Sequence, residues 1–412
     1  MPSAVQTEVF RTKPGVLPPP VLVQIEVSSR CNLKCRMCPL TLETTMSSGD
    51  PGLMTEATWE QVVRMGKLAG QVTIAGFGEP LTHPDFRKML RALDEAGIEI
   101  SFSTNGIGFE KFAPELAELR NLKHVNISID SPDPEIYLDI RGGDVERALS
   151  GARAIGAALR DRVPVTIAVV VMKQNVRSLL AFPALMQDMG IRYLVLQSLH
   201  DYTDELEREH LHTGRTLQMF RPSLRLHTVF DELLAECERH GVQLLRGDRV
   251  ALDTYEPWES TAKYFTKPRG EALTKVCNVP FENMYVDSAG RVFPCCHSAS
   301  GPLLGETGKQ TLEEIWAGEL SKEFRSAIVD PARTPEVCQK CSIVPWGEHP
   351  FRLWAGEVEE AGRRDDGWMW RGFGTLARRR GRRNIRCVWL RRVRGTGRRR
   401  GRCRAGILRT GW

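Results

Sequence analysis

Residues 21–38 read VLVQIEVSSRCNLKCRMC. An apolar, β-branched run at 21–27 leads directly into three cysteines, Cys31, Cys35 and Cys38, spaced C-x3-C-x2-C. The run has the composition of a buried strand, so the cysteines sit on the loop at its C-terminal end. Three thiolates within eight residues can converge on one small object. A cubane iron–sulfur cluster has four irons, and three ligands leave one iron open to a bidentate group such as an amino-acid amine and carboxylate. A structural zinc ion with a distant fourth ligand is served by the same spacing.

Outward from this stretch, further apolar runs occur at 72–76, 98–104, 124–130, 165–172 and 193–198. Amphipathic stretches lie between them at 56–68, 85–96, 111–119, 145–159 and 176–189, with Leu90, Leu93 and Ala96 sharing one helical face. Strands alternating with helices predict an α/β fold of parallel units, here a partial (β/α)6 barrel of the TIM type. The active face of such a barrel is the C-terminal end of its strands. The sequence collects its polar and glycine-containing segments there. They are Gly76-Phe77-Gly78-Glu79-Pro80, Ser103-Thr104-Asn105-Gly106, Ser128-Ile129-Asp130, Lys173-Gln174-Asn175 and Gln197-Ser198. Taken alone, Glu79 reads as a solvated loop acid, Ser128 and Asp130 as a strand-end turn, and His83 and His200 as satisfied histidines.

The expected organisation is an N-terminal extension at 1–20, a core barrel at 21–205 and a helical bridge at 206–276, whose clearest element spans 226–240. A small cysteine-rich α+β domain at 277–350 and an Arg-rich tail at 351–412 follow, the tail expected to be disordered. With 412 residues, 42% hydrophobic and 26% charged, the chain suits a globular protein of two or three domains. Its eleven cysteines are odd in number and cluster at short spacings, which reads as metal ligation and not as a disulfide framework. Residues 1–20 lack a basic-then-apolar signal, and no apolar run approaches the roughly 18 residues of a membrane span, so a cytoplasmic location is expected with no membrane partner. The net charge of +6 conceals two parts: residues 363–412 carry eighteen Arg, no Lys and two Asp, or +16, leaving −10 for the rest. A nucleic-acid partner would rest on that tail and on Trp368, Trp370 and Trp389 alone, and is not expected.

Residues 21–200 resemble the radical S-adenosylmethionine (SAM) superfamily, whose signature is CxxxCxxC after the first strand. The resemblance implies that Cys31, Cys35 and Cys38 ligate a SAM-binding [4Fe–4S] cluster. It makes Gly76–Pro80 similar to the family's GGEP segment, in which Gly76, Gly78 and Glu79 approach the methionine amine of SAM. Ser128 and Asp130 match the polar positions of strand four, Asn105 and Asn175 match polar positions around the same ligand, and Arg141 matches an Arg after strand four. Met37 departs from the family pattern, which has an aromatic residue there, and Phe77 replaces the first glycine of the segment.

The second cysteine region resembles the family's SPASM extension. Cys277 is followed by twelve residues, Gly290, four more and Cys295; Cys296 comes next, and Cys338-x2-Cys341 later. Leu303-Leu304-Gly305 and Leu312-Glu313-Glu314-Ile315-Trp316 fit as well. The resemblance implies one auxiliary [4Fe–4S] cluster on Cys277, Cys295, Cys338 and Cys341, with a four-cysteine zinc site as the alternative. It further implies a flavodoxin or ferredoxin donor and a 5′-deoxyadenosyl radical that abstracts hydrogen. The expected substrate is a small molecule of sugar, aminocyclitol or nucleoside type, oxidised or epimerised. Two features favour it: only about twenty residues precede the first strand, and a single auxiliary cluster resembles the dehydrogenases of aminoglycoside pathways. A peptide maturase is the alternative, and a non-enzymatic zinc and nucleic-acid-binding protein a third reading.

Overall fold

Each apolar run becomes a strand: β1 Leu22–Ile25, β2 Gln71–Ile74, β3 Glu99–Thr104, β4 Leu122–Ser128, β5 Val165–Val171 and β6 Tyr193–Ser198. The structure is a computed structural model and describes residues 18–42, 52–172, 174–198, 226–246, 274–275, 277–296, 301–339, 341 and 346–347. Lys173, His200, the 351–412 tail and much of the 206–276 bridge lie outside these residues.

The six strands are parallel and hydrogen-bonded in chain order. Helices connect them, as parallel neighbours require: α1 Glu56–Ala69, α2 Phe86–Glu95, α3 Ala113–Leu116, α4 Pro134–Arg141, α5 Val145–Leu159 and α6 Phe182–Met189. Period-2 alternation gives the sheet one apolar face, with Val23, Ile25, Val72, Ile74, Ile100, Phe102, Val125 and Ile127 all buried. The other face presents the half-buried Gln24, Thr73, Ser103 and Asn126. Phe102 stacks on Phe109 with centroids 5.8 Å apart, and Phe86 meets Phe102 edge-on at 5.7 Å, which ties the helical layer to β3.

Local chemistry explains where the elements differ from the periodicity. The stretch at 111–119 yields only α3 after a 3-10 turn, Phe109–Lys111, with Pro114 in the first turn, where its missing N–H is tolerated. Helix α4 went unread, although Asp133 caps it by accepting from the amides of Glu135 and Ile136, and Pro134 stands at its start. A seventh parallel strand, β7 Gln243–Arg246, pairs with β6 after α7 Leu226–Arg239. Four residues with polar ends carry too little alternation to register.

The cysteine-rich region contributes β8 Thr274–Lys275, α8 Val279–Glu282, β9 Asn283–Val286, β10 Arg291–Phe293, β11 Gly305–Glu306, α9 Leu312–Ala317, α10 Glu319–Ile328, α11 Glu336–Gln339 and β12 Trp346–Gly347. Strand β9 pairs in parallel with β1, from Leu22↔Asn283 to Ile25↔Val286, and β10 and β11 follow antiparallel. The result is one ten-stranded sheet in the order β11-β10-β9-β1-β2-β3-β4-β5-β6-β7, with β12 and β8 forming a separate pair. Helix α1 clasps the C-terminal region. The hydroxyls of Thr58 and Thr307 lie 2.8 Å apart, Gln61 Nε2 donates to the Thr307 carbonyl (2.8 Å), and Leu312 N donates to Gln61 Oε1 (3.1 Å). No helix among the described residues is long and apolar enough to cross a membrane.

Helix α5 lies so close to the loop after β3 that a Cβ on Gly151 would overlap the carbonyl oxygen of Gly106. Gly151→Ala should therefore destabilise the fold by about 1–3 kcal/mol, read as a lower urea midpoint at unchanged slope. A midpoint equal to wild type would show that the helix can shift without cost.

Candidate active site

The cysteine loop is held from below by the last turn of α4. Lys34 N donates to the Arg141 carbonyl (3.3 Å) and Arg36 N to that of Ile140 (3.1 Å). Within the loop, Cys38 N donates to the Cys35 carbonyl (3.0 Å). The side chain of Arg141 turns inward: its Nε bonds Asp130 Oδ2 at 2.6 Å, and its Nη1 lies 3.9 Å from Cys35 Sγ. Asp130 Oδ1 accepts from Val170 N (2.8 Å). Asn175 Nδ2 donates to the carbonyls of Asp130 (2.9 Å) and Val170 (2.8 Å), while its Oδ1 accepts from Met172 N (2.8 Å). Asp130 and Asn175 are both fully buried, and together they stitch the ends of β4 and β5 beneath the loop. Ser128, the last residue of β4, remains half-buried.

Burial raises all three thiols, that of Cys31 to about 11 and that of Cys38 to about 12, with Cys35 shifted the same way. Neighbouring thiols further oppose the ionisation of Cys31 and Cys38, and Arg141 pulls in the other direction. Burial works against the charge of Arg141 too, yet Asp130 and Cys35 hold its pKa above the ordinary value. Three thiols on one short loop, of which Cys35 is buried, become thiolates together only with a cationic centre between them. The hydroxyl of Tyr137 is buried with no hydrogen-bond partner, within electrostatic reach of Cys31, Cys35, Asp130 and Arg141. Among the described residues no three His, Cys, Asp or Glu groups converge as a single metal ion requires. Three soft donors beside an orphaned hydroxyl suit an iron–sulfur cluster.

The loop after β2 packs onto the approach to the cysteines. A Cβ on Gly78 would overlap the Ser28 carbonyl, and Glu79 N donates to the Arg30 carbonyl (2.8 Å). Glu79 is not a solvated acid but is 3% exposed. Its carboxylate accepts from Asn105 N (2.7 Å), Thr104 Oγ1 (2.8 Å) and Leu81 N (3.3 Å). Asn105 Nδ2 in turn donates to Asn32 Oδ1 (2.6 Å) and lies 4.0 Å from Cys31 Sγ. His83 is buried and satisfied, its ring nitrogens meeting the Met54 carbonyl and Asp85 N.

The sequence does not single out Glu26 or Tyr137, and it marks Thr104 only as part of the Ser103–Gly106 segment. The signal for Glu26 was an acid inside an otherwise apolar strand run. For Tyr137 there was none, since α4 itself went unread.

In the C-terminal region, Cys277 precedes α8 and Cys295 follows β10, while Cys338 lies on α11 with Cys341 just beyond. Burial pushes the Cys277 thiol up to about 12, and the charges of Cys295 and Cys341 act in the same direction. Cys341 N donates to the Cys338 carbonyl (3.2 Å), which brings the fourth close along the chain. Cys296 is half-buried beside Cys295.

Comparison with known proteins agrees with this geometry. The model of the radical SAM superfamily matches residues 25–182, and that of the SPASM iron–sulfur cluster-binding domain matches 277–342. The chain belongs to the radical SAM superfamily and carries a C-terminal SPASM domain. Its cofactors are accordingly SAM, a SAM-binding [4Fe–4S] cluster and auxiliary iron–sulfur ligation. Among curated relatives, the AdoMet-dependent heme synthase of Methanosarcina barkeri is 26% identical over 78% of this chain and 88% of its own. The PqqA peptide cyclase of Xanthomonas campestris pv. campestris is 27% identical over 81% of this chain and 82% of its own. Among solved structures, Streptococcus suis SuiB bound to S-adenosylmethionine shares the fold with a TM-score of 0.58 at 17% identity, over 82% of this chain and 75% of that one.

Burial lifts the carboxyl of Glu79 from its ordinary 4.5 to about 7. The folded state thus binds this proton more tightly than the unfolded chain does. The associated stability is present below pH 4.5 and is lost as pH rises through 7, a change of about 3 kcal/mol. In metal-free protein, the stability of wild type relative to Glu79→Gln should therefore fall by that amount between about pH 4 and pH 8. A difference independent of pH in denaturant titrations would mean that Glu79 titrates normally.

Proposed function

We propose that this radical SAM enzyme cleaves SAM reductively and abstracts hydrogen from a residue of a peptide substrate. The observation that carries the first half is the juxtaposition of the Cys31, Cys35 and Cys38 loop with the buried Gly78-Glu79 segment. When bound, the cluster supplies the electron that breaks SAM into methionine and a 5′-deoxyadenosyl radical. Cys31, Cys35 and Cys38 hold it. Gly76, Gly78 and Glu79 form the wall facing the methionine amine, with Asn105 and Ser128 on the neighbouring strand ends. Asp130, Arg141 and Asn175 act from behind: their polar atoms are engaged with the protein, so they fix the loop and the adjoining strand ends. Cys277, Cys295, Cys338 and Cys341 hold one auxiliary cluster, and a flavodoxin or ferredoxin supplies electrons.

The similarity to PqqA peptide cyclase over four-fifths of both chains supports a peptide substrate over the sugar, aminocyclitol or nucleoside expected from sequence. The comparable similarity to the AdoMet-dependent heme synthase supports a second reading, oxidative chemistry on a small molecule. Product masses separate them: a loss of two hydrogens in a peptide against a change in a small metabolite.

Anaerobically reconstituted, dithionite-reduced protein should form 5′-deoxyadenosine from SAM, and Cys35→Ala should reduce this at least about a hundredfold, since an iron loses its ligand. Wild-type protein with full iron loading and no 5′-deoxyadenosine would overturn the assignment.

A further inference from the structure

The carboxylate of Glu26 has no place in the assignment above, yet it is one of the most heavily engaged groups near the site. It stands just past the end of β1 and is 6% exposed. Its Oε2 accepts from Phe77 N at 2.5 Å and Gly78 N at 3.3 Å. Gly76 packs against the same side chain so closely that a Cβ there would overlap the carboxylate. The other oxygen, Oε1, accepts from Ser288 Oγ at 3.4 Å. Ser288 belongs to the turn between β9 and β10, and the β1–β9 pairing sets its height, since Glu26 N donates to the Val286 carbonyl (2.9 Å). That turn is itself rigid. Asp287 Oδ1 accepts from the amides of Ala289 (3.0 Å) and Arg291 (2.8 Å), and its Oδ2 takes the Arg291 guanidinium (2.7 Å).

We infer that Glu26 is a positioning residue that fixes the backbone of residues 76–78 for SAM and ties that backbone to the C-terminal iron–sulfur domain through Ser288. The inference rests on the proposed reading of residues 76–79 as the wall for the methionine amine. Its physical basis is the direction of the peptide groups. A carboxylate that takes the N–H groups of Phe77 and Gly78 on one side fixes the planes of both peptides. Their carbonyls are then held in place for a cationic ligand instead of being free to rotate. Glu79 anchors the other end of the segment through Thr104 and Asn105, so the loop is clamped between two buried carboxylates. One of these belongs to the barrel alone. The other is shared with the C-terminal domain.

The test uses full-length wild type, Glu26→Ala, Glu26→Gln and Ser288→Ala, with two readouts. The first is amide hydrogen exchange of a peptide covering residues 76–79 in metal-free protein. The second is SAM affinity of cluster-loaded protein by equilibrium dialysis. Loss of a charged acceptor from buried amides is worth roughly tenfold or more. Glu26→Ala should accelerate exchange and weaken SAM binding by at least that factor. Glu26→Gln, which keeps one carbonyl acceptor, should fall between, and Ser288→Ala should give a smaller change of the same sign in both readouts. If Glu26→Ala does not fold, the Gln and Ser288 variants carry the same comparison. Exchange within twofold of wild type in every variant would overturn the clamp. Faster exchange with unchanged SAM affinity would overturn its role in positioning SAM. A wild type that binds no SAM would overturn the reading of the loop itself, whatever the exchange shows.

Discussion

A guanidinium removed from water must find its counter-charge within the fold, and Arg141 finds it in Asp130 at 2.6 Å. Much of the site hangs on this pair. Arg141 is the last residue of α4, so its backbone carbonyl receives Lys34 N from the cysteine loop while its side chain reaches under Cys35. Asp130 in turn joins β5 through Val170 N, and Asn175 closes the same junction from the loop beyond β5. Helix, cysteine loop and two strand ends are thus referenced to one ion pair. Removing either partner would leave a buried charge uncompensated, an error the structure can ill absorb.

The six β/α units were legible because the strands alternate buried apolar residues with polar ones or, in β5, run almost continuously apolar, and most of the helices between them keep a 3.6-residue period. The cysteine spacing and the polar strand ends marked one face of that barrel. What could not be read has physical reasons. Strand β7 is four residues long, and α4 begins at a Pro between acids, with Leu138 exposed on its surface. Glu79 looked like a loop acid because burial is a tertiary property: its acceptors are filled by Thr104 and Asn105, twenty-five and twenty-six residues away. Glu26 was hidden in the opposite way, a charged residue in an apolar run whose partners are the amides of Phe77 and Gly78 and a serine in the turn of the C-terminal region.

The cysteine-rich region was expected as a separate small domain, and it does contain its own helices and hairpin. Its first long strand, however, extends the barrel sheet on the open side of β1. Cys295, which follows β10, and the N-terminal cysteine loop, which follows β1, therefore hang from strands of one hydrogen-bonded sheet. Rigid spacing between two iron–sulfur sites is more readily maintained by a shared sheet than by a linker, because the ladder leaves few soft dihedral angles between them.

That arrangement also sets an order of events during synthesis. Glu26 and Ser288 are 262 residues apart in the chain, and β1 meets β9 at the same point. At ordinary elongation rates of about 5–20 residues per second, one edge of β1 stays without its partner for on the order of ten seconds or more after it leaves the ribosome. Throughout that interval an apolar strand edge is available to other chains. The first cysteine loop, which follows β1 directly, is complete long before the strand that seals its flank.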